Sequence, residues 1–229
     1  MLTVSGLRSG YGQSEVLHGI DFSVSPGEIV AVIGRNGMGK STLMKTLIGL
    51  LPVSGGAITL DEVNLNQHKA HQRVASGIAY VPQGRMIFPA MTVAENIETG
   101  LVVRNGDAIP RDIYALFPVL EEMRGRRGGN LSGGQQQQLA IARALATNPK
   151  MLLLDEPTEG IQPSIIRDLA RILKRIRDER GLAILVSEQV LSFALDVADR
   201  LFVLEGGRIV HTALRNDLDE SEVARFLAV

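Results

Sequence analysis

The sequence predicts an α/β fold in which strands and helices alternate around an inserted, mainly helical stretch. Three observations lead there. The run Glu28–Ile33 is short and apolar, as suits a strand buried on both faces, and it ends on Gly34. From Met151 onward, apolar runs alternate with amphipathic helical segments. Between residues 83 and 149, helical spacing dominates and strand signals are few.

Taken in order, Leu2 to Leu7 alternates roughly and reads as a strand. Val16, Ile20, Phe22 and Val24 mark a second, closed by the turn signal Ser25-Pro26-Gly27. A helix is expected from Lys40 to about Leu50, stopped by Pro52. Ala57–Leu60 and Ile78–Val81 are further short strands. Thr92, with Glu95 three positions on, has a capping-box pattern. Ile113, Leu116 and Phe117 share a helical face. Ser132 is placed to cap a helix running to about Ala146, with Leu139, Ala142, Arg143 and Ala146 at helical spacing. The low-complexity run Gln135–Gln138 is short enough for a helix to tolerate. Met151–Leu154 is a buried strand. Ile165, Leu169, Ile172, Leu173 and Ile176 form an apolar stripe on a helix whose other face carries Arg171, Lys174, Arg175 and Arg177. Leu182–Val186 is a strand, Phe193–Ala198 lies on a helix, and Leu201–Leu204 is a strand. Glu205-Gly206-Gly207 is a hairpin turn into Arg208–His211. Glu220–Leu227 is expected to be a short amphipathic helix.

Composition narrows the function. The 229 residues are 45% hydrophobic, enough for one sizeable domain or two small lobes sharing a core. Lys plus Arg number 24 against 25 for Asp plus Glu, a balance that argues against general coating of nucleic acid. The absence of cysteine excludes a disulfide framework, a thiolate metal site and a cysteine nucleophile. The first residues lack the basic-then-apolar pattern of a signal peptide. No apolar run approaches the ~18 residues that span a bilayer, so any membrane role is expected to be peripheral. His68 and His71 are one helical turn apart without nearby acids, and a solvated helix face is the expected reading rather than a metal pair. Arg124, Arg126 and Arg127 are expected in a solvated loop, with a salt bridge to a partner or to neighbouring acids as the alternative.

The chemistry concentrates in two places. Gly34-Arg35-Asn36-Gly37-Met38-Gly39-Lys40-Ser41 fits G-x-x-x-x-G-K-[ST] at every fixed position, between a predicted strand and a predicted helix. Such glycines let successive backbone N–H groups turn inward as an anion nest, above the positive end of a helix. Lys40 is placed to reach outer phosphates and the Ser41 hydroxyl to ligate Mg²⁺; residues 34–42, Thr42 included, are expected to wrap the phosphate tail of the ligand, which the resemblance given below implies is ATP. The second place is the strand ending Leu154-Asp155-Glu156. Free carboxylates do not suit a buried strand, so these acids belong at its open end, where ligands bind in a parallel sheet. Asp155 is expected to partner Mg²⁺ through water, and Glu156 to polarise an attacking water.

With these residues in hand, the chain resembles the nucleotide-binding subunit of an ABC transporter over essentially its whole length. The most specific element is Leu131-Ser132-Gly133-Gly134-Gln135, similar to the ABC signature at a helix start. The resemblance implies the P-loop NTPase ABC ATPase fold. In it a mostly parallel RecA-like core with an antiparallel β subdomain takes residues 1–82 and 150–229, and an inserted helical subdomain takes residues 83–149. It implies two subunits packed head to tail, Ser132, Gly133, Gly134 and Gln135 of each closing over the γ-phosphate held by the other. Tyr11 stands where the family stacks an aromatic on adenine. Gln83 is similar to the glutamine that contacts Mg²⁺ and the attacking water. The stretch after it, with Met86, Ile87, Phe88 and Met91, would face a membrane partner, and burial in the helical lobe explains it almost as well. Two departures bear on hydrolysis. Gln189 stands at the family's switch histidine; it can hydrogen-bond a γ-phosphate but cannot carry charge. Glu159-Gly160-Ile161-Gln162 replaces a pattern that ends in aspartate.

Thr158–Ile166 and the pair Glu188-Gln189 are similar to the ATPase subunits of the branched-chain amino acid and urea/amide uptake group. Within that group, Ile109-Pro110, Tyr114–Pro118, Gly128-Gly129-Asn130, Gln135–Gln138 and Arg225–Val229 are most similar to the urea subunit. This implies an importer. The chain would pair with a related ATP-binding subunit, or with a copy of itself in isolation. It would work on two membrane permeases, and through them with a periplasmic solute-binding protein. It would sit peripherally on the cytoplasmic side of the bacterial inner membrane, with no nucleic acid partner. Urea is the expected solute, with a branched-chain amino acid or short amide as runner-up. A non-transport ABC ATPase and a poorly hydrolysing regulatory subunit are the alternatives of other classes.

Overall fold

Two sheets organise the computed structural model, which describes residues 1–106, 108–217, 223, 225 and 226. In chain order the elements are β1 (Leu2–Tyr11), β2 (Ser14–Val24), β3 (Ile29–Ile33), α1 (Lys40–Ile48), β4 (Gly55–Leu60), β5 (Val63–Asn64), α2 (Ala70–Ala75), β6 (Ile78–Val81), α3 (Val93–Leu101), α4 (Arg111–Leu116), α5 (Pro118–Glu122), α6 (Gly133–Ala146), β7 (Met151–Asp155), α7 (Pro163–Arg180), β8 (Ala183–Glu188), α8 (Leu191–Val197), β9 (Arg200–Glu205) and β10 (Arg208–Leu214). The first sheet, β2-β1-β4-β5, is antiparallel throughout. The second, β10-β9-β3-β8-β7-β6, is parallel except for its β9–β10 hairpin.

The strand β3 shows why the core strands are apolar at every position. Successive side chains leave a strand on opposite faces. Val30 and Val32 enter one cluster with the antiparallel sheet and with Leu43, Met44 and Leu47 of α1. Ile29, Ala31 and Ile33 enter the other, with residues of α6, α7 and α8. β7 divides the same way, Met151 and Leu153 to the first cluster and Leu152 and Leu154 to the second. Both faces are covered, so neither tolerates a polar residue until the strand ends.

The helix α1 stops at Ile48, earlier than the expected Leu50. Gly49 takes a left-handed conformation (φ 82°), and its N–H closes on the carbonyls of Lys45 and Thr46. Two of the last carbonyls of α1 are also met by Arg73 of α2, a short helix for which the sequence predicts only a solvated face at His68 and His71; His71 lies on it and His68 precedes it. Arg73 is only 1% exposed. Its Nη1 donates to Thr46 O at 2.7 Å and Leu47 O at 3.0 Å, and its Nε to His68 O at 3.0 Å. Burial pulls the guanidinium pKa down, yet the ring of carbonyls keeps its donors satisfied.

The stretch between β6 and β7 is helical as expected. The predicted capping box at Thr92 forms, and the cap expected at Ser132 proves to be a second box. Glu95 N donates to Thr92 Oγ1 (3.2 Å) and Thr92 N to Glu95 Oε2 (2.7 Å). Ser132 and Gln135 repeat the pattern at the start of α6. There α6 crosses α7 so closely that a Cβ on Gly134 would lie 2.5 Å from Ile165 Cγ2. On α7, Leu169, Leu173 and Ile176 of the expected stripe are buried and Ile165 and Ile172 partly so, and Ala170 and Ile166 join them. The expected helix at Glu220–Leu227 falls largely outside the described residues. Among the described residues, no helix is long and apolar enough to cross a membrane.

Replacing Arg73 by methionine keeps volume but strips Leu47 O of its guanidinium donor and leaves Thr46 O with the Gly49 N–H alone. Arg73→Met is expected to lower unfolding stability by about 2–4 kcal/mol, read as a lower urea midpoint at unchanged slope. A midpoint equal to the parent's would show that α1 does not need this cap.

Candidate functional site

At the carboxyl end of β3 the chain enters the 34–39 loop. Gly34 lies against β9, where a Cβ would come within 2.4 Å of Leu204 O. Gly37 and Gly39 have φ of 82° and 105°, which side chains resist. The β9–β10 turn holds the loop from behind: Gly207 N donates to Met38 O at 3.1 Å, and Gly206 N points to Met38 Sδ at 3.4 Å. In front lies an open cavity of about 450 Å³. Asn36, Gly37, Gly39, Lys40, Ser41, Thr42, Tyr11, Val16, Gln83 and Glu156 line it. Of the other cradle residues, Gly34 and Arg35 turn carbonyls to Lys40 and Met38 faces the β9–β10 turn; none of these three belongs to the lining.

Lys40 is buried, and its Nζ donates to Gly34 O at 2.7 Å and Arg35 O at 3.2 Å. It also pairs with Glu156 Oε1 at 3.2 Å. The two acids ending β7 part company. Glu156 takes a left-handed backbone (φ 47°), which aims its side chain into the cavity while its N–H donates to Ser187 O at 3.0 Å. Asp155 stays buried and outside the lining. Its Oδ1 accepts from Ser41 Oγ (3.1 Å) and Ser187 Oγ (2.6 Å), and its Oδ2 from the Tyr80 hydroxyl (3.2 Å). Burial, reinforced by the Asp155 charge, pushes the Tyr80 phenol far above its ordinary range, so it remains a donor.

Tyr80, Ser187 and Glu188 were not foreseen. Glu188 is fully buried, and burial raises its pKa against the pull of its hydrogen bonds. A signal did exist: Ser187-Glu188 ends an apolar run just as Asp155-Glu156 does. The register sets Asp155 beside Ser187 and Ile33 beside Glu188, which gathers these polar ends at one edge.

Other expected residues lie elsewhere. Ser132, Gly133, Gly134 and Gln135 are outside the lining; Ser132 and Gln135 close the α6 capping box, and Gly134 packs on Ile165. Gln189 is exposed just past β8 and is also outside the lining. Met86 and Phe88 are 69% and 47% exposed, so burial in the helical lobe does not account for them; Ile87 does pack against the core. They border an apolar cavity of about 500 Å³ with Leu50, Val74 and Val103. Arg143 of α6 fastens this segment through Met86 O (2.8 Å), with its guanidinium 5.2 Å over the Phe88 ring. Among the described residues, no group of His, Cys, Asp and Glu is assembled as a metal site.

Residues 17–159 match the family described as ABC transporter. Over 213 residues the chain is 41% identical to the high-affinity branched-chain amino acid transport ATP-binding protein BraG of Pseudomonas aeruginosa, covering 92% of this chain and 91% of that one. It is 35% identical over 225 residues to the probable branched-chain amino acid transport ATP-binding protein LivF of Archaeoglobus fulgidus, covering 97% of this chain and 95% of that one. Among solved structures, MJ1267, an ATP-binding cassette of an ABC transporter, superposes with a TM-score of 0.86 at 26% identity, covering 100% of this chain and 99% of that chain.

Lys40→Met leaves Glu156 buried without its cation and is expected to destabilise the nucleotide-free protein by about 3 kcal/mol. Lys40→Met with Glu156→Gln should lose less than the two single losses combined, with a coupling of at least about 1 kcal/mol in denaturant unfolding. Additive losses would show that the pair is not an energetic unit.

Proposed function

We infer the function of this chain from its family: it belongs to the ABC transporter family, has the ABC ATPase cassette fold, and is an ATPase of that family. The observation that supports the mechanism best is the meeting of Lys40 and Glu156 in the cavity formed with residues 36–42. The inward N–H groups of that loop and the amino end of α1 hold the phosphates of ATP. Lys40 exchanges its contact with Glu156 for the outer phosphates. The released carboxylate then faces the cavity and takes a proton from a water. That water's oxygen forms a bond to the γ-phosphorus as the bond to ADP breaks. Tyr11, exposed at the cavity mouth, offers its ring to the base. Gln189 donates to the γ-phosphate once two subunits close.

The donor set suits Mg²⁺. Ser41 and Gln83 line the cavity, and Asp155, just outside the lining, meets the Ser41 hydroxyl at 3.1 Å and would reach a cation through water; these are oxygen donors fitting a hard cation. When bound, Mg²⁺ would neutralise charge developing on the phosphates. Ser187 and Tyr80 hold the Asp155 carboxylate in one orientation.

The residues 132–135 support a paired subunit, because they lie at the start of α6 and outside the cavity of their own chain. The exposed Met86 and Phe88, with the apolar hollow beside them, are the surface offered to a membrane permease. Binding there makes the chain a peripheral subunit on the cytoplasmic side of the inner membrane, served indirectly by a periplasmic binding protein. For the solute, identity to two branched-chain amino acid transport proteins over more than nine-tenths of the chain supports import of branched-chain amino acids. Those relatives lend urea no support, and the amino acid reading takes its place. Chemically this is consistent, since nothing in the ATP cavity recognises the solute.

Uptake of labelled leucine is expected to fall at least tenfold in cells lacking this subunit, with urea uptake unchanged. Loss of urea uptake alone would restore urea, and loss of neither would overturn the transport reading. In the assembled transporter, Glu156→Gln is expected to lower ATP turnover by about a hundredfold with ATP affinity retained, whereas Lys40→Ala should weaken ATP binding at least tenfold.

A further inference from the structure

We propose that Glu188 is a positioning residue for hydrolysis, a buried clasp that binds the loop following Glu156 to the segment that displays Gln189. The proposal rests on the ATPase reading above, and on a division of labour within one carboxylate. Oε1 accepts from Thr158 Oγ1 at 2.6 Å and Thr158 N at 3.1 Å. Oε2 accepts from Gln189 N at 3.1 Å and Val190 N at 3.2 Å. One oxygen thus serves the loop after β7, and the other serves the loop after β8.

Glu188 is fully buried, and each of these partners is a neutral donor. A carboxylate in such a place is costly unless every lone pair is engaged. Four donors converging from two loops are what engage it. No other side chain of this shape offers two acceptor oxygens and no donor; glutamine would turn an NH₂ against one loop or the other. Its neighbour Ser187 makes the companion contact: Glu156 N donates to Ser187 O at 3.0 Å and to Ser187 Oγ at 3.2 Å. Adjacent residues of β8 therefore hold Glu156 and Thr158, with Pro157 between them stiffening the step. Glu156 sits at a left-handed backbone position that needs such support. Glu188 itself does not line the ATP cavity, so its loss acts on the aim of Glu156 and Gln189 and not on nucleotide binding.

The test uses the transporter assembled with its partner subunits, comparing the parent with Glu188→Gln, Thr158→Val and Thr158→Ser. Glu188→Gln is expected to lower kcat at least tenfold, roughly the rate equivalent of one charge-assisted hydrogen bond, while KM for ATP stays within about twofold. Thr158→Val should lower kcat less, and Thr158→Ser, which keeps the hydroxyl, should restore it. The double variant Glu188→Gln with Thr158→Val should be no slower than Glu188→Gln alone, because the two share one bond. A parental kcat in Glu188→Gln, multiplying losses in the double variant, or a Thr158→Ser as slow as Thr158→Val would overturn the proposal. Amide hydrogen exchange without nucleotide gives a readout independent of turnover. Thr158, Gln189 and Val190 should exchange at least tenfold faster in Glu188→Gln, with helix α7 unchanged. Unchanged exchange at all three sinks the clasp even if the parent hydrolyses no ATP, and an inactive parent with the exchange as expected would count against the ATPase reading alone.

Discussion

The parallel register of β3, β8 and β7 is the constraint from which the site follows. Because these strands run the same way side by side, their carboxyl ends open at one edge of the sheet. Gly34 leaves β3 there, Asp155 and Glu156 leave β7, and Ser187 and Glu188 leave β8. Helices and the antiparallel sheet cover both faces of these strands, so polar residues are excluded along their lengths and permitted at their ends. The chemistry is concentrated at that edge by elimination, and the buried pair of Lys40 and Glu156 is its most demanding product.

Around this edge, polar groups are sorted by how completely they are satisfied. Asp155, with three hydroxyl donors, is held still. Glu188, with four donors, ties two loops into one unit. Glu156 has its backbone anchored and its side chain facing an open cavity, with Lys40 as its cationic partner. That contrast divides the acids into those fully engaged by donors and the one whose side chain faces the cavity. The same logic reaches α1, whose far end depends on a buried arginine from α2, so the placement of Lys40 is supported from both ends of its helix.

Much of this was legible in residue order. The glycine-rich turn between a strand and a helix, the acids ending an apolar run, and the two capping boxes each depend on neighbours a few positions apart. The structure places Lys40, Ser41 and Glu156, from those motifs, around one cavity together with Tyr11 and Gln83, which only the family resemblance had singled out. The misses have a common cause. Arg73, Tyr80, Ser187 and Glu188 act on groups far away in the chain or across a strand boundary, and no spacing rule reports such partners. The stop of α1 at Gly49 was missed because Pro52 is the louder signal, although glycine's left-handed conformation acts first.

By itself, the order of residues determined the alternation of strands and helices, the helix caps, the glycine-rich loop between a strand and a helix, and which acids lie near a strand end. Those follow from local sterics and from period-2 or period-3.6 burial, which a chain carries with it. Only the tertiary structure decided that Asp155 is locked away while Glu156 faces the cavity, that Lys40 meets Glu156, and that Met86 and Phe88 stand exposed while Ile87 is packed. Those outcomes depend on strand order and on the backbone conformation at a few turns. Which groups meet across space is set by the assembled sheet, whose register is a collective property of strands drawn from both ends of the chain.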